Sequence, residues 1–207
     1  MTQDHPIELS APRKHKYWHS RGYVPHFDQP GMVQTIGFRL HDSVPRSLID
    51  QWKEELHWRV ALPSEDPISV EYRRRIAHYE DRGYGECWLA RPDVAHLVED
   101  ALLHFDDERY RVLAWCIMPN HVHVVVTVID GYPLDQVIQS WKSFTAKEAN
   151  RLLARSGTFW MPDYYDRYIR HENHLATAMA YVENNPVTAG LVSKASEWGF
   201  SSARMRG

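Results

Sequence analysis

A chain of 207 residues with 43% hydrophobic and 25% charged side chains has material for one buried core, which excludes wholesale disorder. A formal net charge of −3 excludes a protein that coats itself in nucleic acid through bulk charge. Two cysteines, Cys87 and Cys116, are too few for a disulfide framework or a four-thiolate zinc site. Both are expected to be buried free thiols in a reducing cytoplasm. Apolar runs such as Val122 to Val126 fall far short of the roughly 20 residues that cross a bilayer. Asp4, His5, Pro6 and Glu8 stand where a signal peptide needs an apolar core. The expectation is a cytoplasmic protein without a membrane partner.

Residues 1–30 carry Pro6, Pro12, Pro25 and Pro30 and no periodic apolar face, so they read as an arm ahead of a domain over residues 31–207. The arm interleaves Lys14, Lys16 and Arg21 with Tyr17 and Trp18, a mixture that neutralises phosphate and stacks unpaired bases. Alternation over Met32–Leu40 predicts a strand. Ser43 as a cap, with Pro45 in the first turn, starts a helix running to about Val60. The Arg-rich stretch 61–84 is either a short helix or an insertion. Gly85–Ala90 reads as a short second strand, and Pro92–Phe105 as a helix.

Arg109–Met118 and His121–Ile129 are strong strand signals joined at Pro119-Asn120, the mark of a hairpin. A helix follows over Leu134–Leu153, then an irregular or partly extended aromatic segment, Phe159–Tyr168. The last helix, His171–Asn184, is expected to stop before Pro186. This order predicts an α+β sandwich with helices on one or both faces of an antiparallel sheet. Charge is unevenly spread: Asp93–Glu108 is acidic without Lys or Arg, whereas Gln139–Arg170 is predominantly basic.

His121 and His123 sit two apart in a strand, so both imidazoles point to one face. At that spacing two neutral imidazoles chelate one divalent cation. The same pattern also suits two polar residues on the wet face of a strand. A histidine-triad hydrolase would need a third histidine at the position of Val125. Tyr181 and Asn185 lie one helical turn apart, although the proline after Asn185 biases it away from the helical region. Tyr181 by itself is more often a core aromatic with its hydroxyl at the surface than a nucleophile. Lys142 faces either nucleic acid or solvent. Arg167 and Arg170, near Tyr165 and Tyr168, either contact phosphates and bases or pack on those rings.

Five segments occur together in order: Cys-Trp-Leu-Ala-Arg-Pro at 87–92, Ala-Trp-Cys-Ile-Met-Pro-Asn-His-Val-His at 114–123, Ser-Trp-Lys-Ser-Phe-Thr-Ala at 140–146, Tyr-Tyr-Asp-Arg-Tyr-Ile-Arg at 164–170, and Tyr-Val-Glu-Asn-Asn-Pro-Val-Thr-Ala-Gly-Leu-Val at 181–192. This pattern resembles the REP-associated tyrosine transposases, relatives of the single-tyrosine HUH transposases of small insertion sequences. The likeness spans about residues 31–202 and leaves out the arm and the stretch 61–84.

The resemblance implies a one-domain, ferredoxin-like nuclease with a central antiparallel sheet. His121 and His123 match its paired metal-binding histidines, Asn185 the polar residue completing a Mg²⁺ or Mn²⁺ site, and Tyr181 the nucleophile. The implied substrate is single-stranded DNA with hairpins from repetitive extragenic palindromes, cut and rejoined through a 5′-phosphotyrosine. A phenol with a pKa of about 10 gives a reachable phenolate nucleophile and a competent leaving group. The family's patterns admit a monomer or a homodimer, nucleoid-associated when bound to DNA. Two other classes stay open: a domesticated protein that holds DNA hairpins without cutting, and one that binds RNA hairpins.

Overall fold

The structure, a computed structural model, describes residues 14–17, 19–20, 25–58, 62 and 66–206. Two short strands come first, β1 (His19–Ser20) and β2 (Pro25–His26), then β3 (Val33–Arg39). Helices α1 (Arg46–Glu55), α2 (Pro67–Glu80) and α3 (Pro92–Leu103) precede the hairpin β4 (Tyr110–Ile117) and β5 (His121–Val128). The chain continues through α4 (Leu134–Leu152), β6 (Tyr165–Tyr168) and α5 (Glu172–Thr188).

The main sheet has the order β4-β5-β3-β6, and its neighbouring strands are antiparallel. With α1 and α2 set aside, the run β3-α3-β4-β5-α4-β6 is the split βαββαβ of a ferredoxin-like α+β fold. The strand period divides the residues between two faces. Val122, Val124 and Val126 of β5 join Ile36 and Phe38 of β3 and pack against Val94 and Val98 of α3 and Val137 and Trp141 of α4. On the opposite face Val125, Ala114 and Cys116 meet Ala178 and Val182 of α5. The helices therefore cover both faces.

Several sequence expectations are corrected. Gly85–Ala90 is not a strand: Cys87 adopts a left-handed φ of 50° and a single 3-10 turn spans Trp88–Ala90. Its apolar character comes from Leu89, an anchor in the core, whose N–H donates to the Pro119 carbonyl at 3.1 Å. Gly85 is required there, because at its φ of 88° a Cβ would stand 2.9 Å from the Asp42 carbonyl oxygen. Cys116 is buried as expected, but Cys87 is only half-buried.

The first helix starts at Arg46 and ends at Glu55, short of Val60. Ser43 does not cap it; its hydroxyl donates to the Leu40 carbonyl at 2.9 Å. The stretch 61–84 contains a full helix, α2, capped by Asp66, which accepts from the Ile68 N–H at 2.8 Å. Together α1 and α2 bury Val44, Ile49 and Tyr72 in a small core of their own.

Helix α5 continues through Pro186 to Thr188. A proline there forfeits one bond near the helix end, and the final turn closes behind it through Ala189 N–H to the Asn185 carbonyl at 2.9 Å. Asn185 consequently stays helical.

The described part of residues 1–30 is tied to the sheet by buried acids. Tyr17 and Asp28 exchange both backbone hydrogen bonds, at 3.0 and 3.1 Å. The Asp28 carboxylate receives the His15 ring at 2.8 Å and the Lys16 and Leu134 N–H groups, each at 3.1 Å. Polar anchoring of this kind leaves no apolar period to read. His26, fully buried on β2, pairs with Asp166 of β6 and stands 3.3 Å from Asp163.

Burial acts to lower the His26 pKa, but hydrogen bonds and charge from Asp163 and Asp166 outweigh it and raise it from 6.5 to about 9. A folded-state pKa above the unfolded one stabilises the fold fully below pH 6.5, and that contribution is lost as pH rises through about 9. The interval corresponds to roughly 3 kcal/mol. The urea midpoint should fall between pH 7 and pH 10, and His26→Gln should flatten that part of the curve. Identical pH dependence in the two proteins would remove His26 as the cause.

Candidate active site

Strand β5 opens with His121 and His123 on the α5 side of the sheet, facing Arg39 and Gly37 of β3 in register. Their ring centroids are 4.8 Å apart and nearly perpendicular. A Cβ at Gly37 would lie 3.7 Å from His123 Nδ1, so glycine leaves the ring its space. Burial, then the neighbouring His123 and Arg39, holds His121 well below the ordinary histidine pKa. Burial brings His123 down to about 4. Both rings are therefore neutral at physiological pH and offer lone pairs.

Asn120 fixes which lone pair His121 offers. This fully buried side chain donates through Nδ2 to the carbonyls of Glu80 at 3.1 Å and Tyr84 at 2.9 Å. Two carbonyl acceptors leave the amide one orientation, with Oδ1 toward His121 Nδ1 at 2.7 Å. A neutral His121 must then carry its proton on Nδ1 and present Nε2 bare.

Helix α5 brings the other two residues. Its Ala178 and Val182 are turned to the sheet, which swings Tyr181 outward beside the histidines. The Tyr181 ring is 54% exposed and its centroid is 5.9 Å from that of His123. Asn185, one turn on and buried, donates to the Tyr181 carbonyl at 3.0 Å. Partial burial of the phenol, then the charges of Asp81 and Glu80, raises the Tyr181 pKa above 10, while the Asn185 side chain acts in the other direction. The structure thus gathers His121, His123, Tyr181 and Asn185 between β5 and α5.

Sequence reasoning missed the residues that the end of α2 brings here. Glu80 is buried with Oε1 3.5 Å from Arg39 Nη1, and burial raises its pKa to about 7 despite that arginine. Asp81 Oδ1 stands 4.0 Å from His121 Nε2. These contacts join residues 40 positions apart in the chain, so no local spacing announces them. Beside them a cleft of about 460 Å³ is lined by Asp81, Tyr84, Met118, Pro119 and Leu191.

Two neutral imidazoles, if joined by the Asn185 amide oxygen, would make a mixed donor set that suits Mn²⁺ or Mg²⁺. Among the described residues no three His, Cys, Asp or Glu side chains converge as a metal cluster. The third group of the reading, Asn185, belongs to none of those types.

The residues expected to grip DNA are scattered. Lys142 Nζ donates to the carbonyls of Met161, Pro162 and Asp163, which uses all three of its protons in bracing the segment before β6. Lys16 Nζ pairs with Asp135 at 2.6 Å. Arg170 donates to the Tyr168 hydroxyl at 2.9 Å and lies over that ring. Arg167, Lys14 and Tyr17 are exposed. Trp18 and Arg21 lie outside the described residues.

Removing the Asn120 amide breaks three hydrogen bonds, two of them buried, and strips its partner from His121 Nδ1, while the Glu80 carbonyl keeps the Gly83 N–H at 2.9 Å. Asn120→Ala should cost about 3 kcal/mol of stability. The His121 ring should lose its single tautomer, which long-range ¹H–¹⁵N correlation spectra of the imidazole nitrogens report. An unchanged tautomer in a folded variant would show that Asn120 does not set it.

Residues 90–185 match the family model described as Transposase IS200 like, a span that contains both histidines, Tyr181 and Asn185. The chain is 25% identical over 96 residues to a REP-associated tyrosine transposase of Escherichia coli strain K12, covering 46% of this chain and 56% of that protein. It is 26% identical over 104 residues to a putative REP-associated tyrosine transposase of Haemophilus influenzae, covering 45% and 58%. The chain thus spans little more than half the length of these curated relatives. Among solved structures, a REP-associated tyrosine transposase bound to a REP hairpin superposes with a TM-score of 0.53 at 16% identity, covering 87% of this chain and 81% of that one. That likeness shows the shared fold. In motif order, matched span and these two relatives, the chain is similar to the REP-associated tyrosine transposases.

Proposed function

We propose that this protein is a metal-dependent endonuclease and strand transferase for single-stranded DNA carrying hairpins. The observation that carries the reading is the Tyr181 ring seated 5.9 Å from His123, with Asn185 one turn behind it, within one chain. Tyr181 is exposed enough to meet a phosphate, which a core aromatic would not be. His121, His123 and Asn185 would hold Mg²⁺ or Mn²⁺. Bound there, the ion supplies Lewis-acid polarisation of the scissile phosphate.

The chain's own groups do the rest. The Tyr181 hydroxyl gives up its proton to solvent and its oxygen forms a bond to phosphorus. The bond from phosphorus to the 3′ oxygen breaks, and that oxygen takes a proton. The product is a 5′-phosphotyrosine, which conserves the phosphodiester and lets a free 3′-OH reverse the step. Because both histidines and the tyrosine come from one chain, a monomer suffices for the chemistry. Of the residues proposed for DNA, Lys14, Tyr17 and Arg167 face solvent and are the better placed to meet it. The relative bound to a REP hairpin supports that substrate class for this chain.

A labelled hairpin oligonucleotide with Mn²⁺ tests the reading. Wild-type protein should give a covalent protein–DNA band that EDTA abolishes, and binding should favour the hairpin with a single-stranded flank over blunt duplex. Tyr181→Phe should eliminate the covalent band while changing stability by about 1 kcal/mol or less, since the exposed ring is kept. A mobility shift without any covalent band would favour a hairpin-binding protein that does not cut. A covalent band that survives Tyr181→Phe but disappears with Tyr165→Phe or Tyr168→Phe would move the nucleophile.

A further inference from the structure

The α1–α2 hairpin runs out into a segment that holds one aromatic ring in solvent. Tyr84 stands between Gly83 and Gly85, whose left-handed φ values of 67° and 88° turn the chain on either side of it. Its carbonyl is held by Asn120 Nδ2 at 2.9 Å, and the Glu86 N–H beyond Gly85 donates to Asp42 Oδ2 at 2.8 Å. The backbone is thus fixed while the side chain stays 43% exposed. The ring leans on Tyr79, with centroids 4.4 Å apart, and Tyr79 meets Trp52 edge-on at 6.0 Å. A ladder of rings reaching back to the hairpin's own core supports the platform.

Leu191 faces the same cleft of about 460 Å³ from beyond the end of α5. Gly190, at a φ of 72°, ends that helix. The Gly190 and Leu191 N–H groups donate to the Val187 and Pro186 carbonyls at 3.0 and 2.8 Å. In such an ending the apolar residue after the glycine commonly packs back on its own helix. Leu191 instead remains 44% exposed. Of the seven large apolar side chains exposed among the described residues, Tyr84, Leu191 and Tyr181 gather about this cleft and the adjoining histidines. Exposed apolar residues need an explanation when they cluster, not when they are scattered singly.

The cleft is continuous with the candidate site, because Met118 and Pro119 in its wall lead directly into Asn120 and His121. Its charged lining sets Glu80 and Asp81 against one cation, Arg82, which disfavours a phosphate but admits an uncharged ring. Resting on the proposed single-stranded DNA reading, we infer that this cleft takes one unpaired base beside the scissile phosphate, stacked on Tyr84 and covered by Leu191. An aromatic face opposed by an aliphatic side chain holds an extruded base in this way. Tyr84 closes the stretch 61–84, which the transposase likeness leaves out, so the insertion acquires a function as the carrier of a base platform.

The test uses the full-length protein in EDTA and a hairpin oligonucleotide with a single-stranded flank, in which 2-aminopurine is moved one position at a time. Wild type should quench the fluorescence at one flank position through stacking. Tyr84→Ala should restore it and weaken binding about fivefold or more, the lower end of what one stacked base supplies, with no matching loss on a hairpin lacking the flank. Tyr84→Phe keeps the ring and should keep both signals. Leu191→Ser should reduce quenching at the same position, whereas Met205→Ala, which trims an exposed apolar side chain outside the cleft, should change neither. An abasic site at the quenched position should cost wild type as much as Tyr84→Ala does and cost that variant nothing further. Equal losses on both hairpins, or additive losses with the abasic site, overturn the base assignment in favour of a general effect on the fold. Unchanged DNA binding in Tyr84→Ala also overturns it, and loss of self-association by that variant in sedimentation would give the cleft to a second copy of the chain. Position-specific quenching with no covalent band after Mn²⁺ is added leaves the base site in place and overturns the strand-transferase reading instead.

Discussion

The two-residue period of β5 is the constraint on which the rest of this structure depends. The strand lies between β3 and β4 and is hydrogen-bonded along both edges. Val122, Val124 and Val126 are committed to the core beneath α3 and α4, so His121 and His123 must emerge on the other side. A slip of one residue would exchange imidazoles for valines and bury the histidines in an apolar layer, which fixes the register strongly. The orientation of α5 follows from the same face. Its Ala178 and Val182 pack on Val125 and Cys116, and one residue earlier on the helix is about 100° of rotation away. Tyr181 is thereby turned to the histidines by the packing of its neighbour.

Asn120 extends that order to the inserted hairpin. The α1–α2 pair has its own small apolar core around Ile49 and Tyr72, so its internal packing does not depend on the sheet. Its attachment near the site is polar, through the Glu80 and Tyr84 carbonyls on Asn120 and the Glu80–Arg39 pair. Each bond is buried or nearly so, where an unpaired group is costly. The orientation of the His121 ring and the docking of the insertion are consequently one problem solved by one side chain.

How much could be read in advance follows from the range of each interaction. The strands, the histidine pair and the Tyr181–Asn185 turn rest on periods of two and 3.6, which a sequence displays directly. Pro186 was misread as a stop because its cost depends on how many helical bonds follow it, and here few do. Gly85–Ala90 mimicked a strand because an anchor, Leu89, and its neighbour Trp88 produced a short apolar run in a segment bent by Gly85 and Cys87. Asp81 and Glu80 were invisible because they reach the site across 40 residues of sequence. The anchoring of His15, Lys16 and His26 was hidden for a related reason: Asp28 and Asp166 hold them by hydrogen bonds, and buried polar anchors have no period.

The basic side chains singled out for DNA show how charge counts mislead in a chain of this kind. Lys16 is spent on Asp135, Lys142 on three carbonyls, and Arg170 rests on Tyr168. These cations brace the fold, so their number says little about the field that a phosphate backbone meets. What the fold turns outward near the histidines is largely aromatic: Tyr181, and Tyr84 beside the cleft at the end of α2. Exposed rings hold unpaired bases by stacking, which requires little net positive charge. A formal net charge of −3 is therefore compatible with a single-strand site, because ring faces and local geometry can do what bulk charge does for a duplex-coating protein.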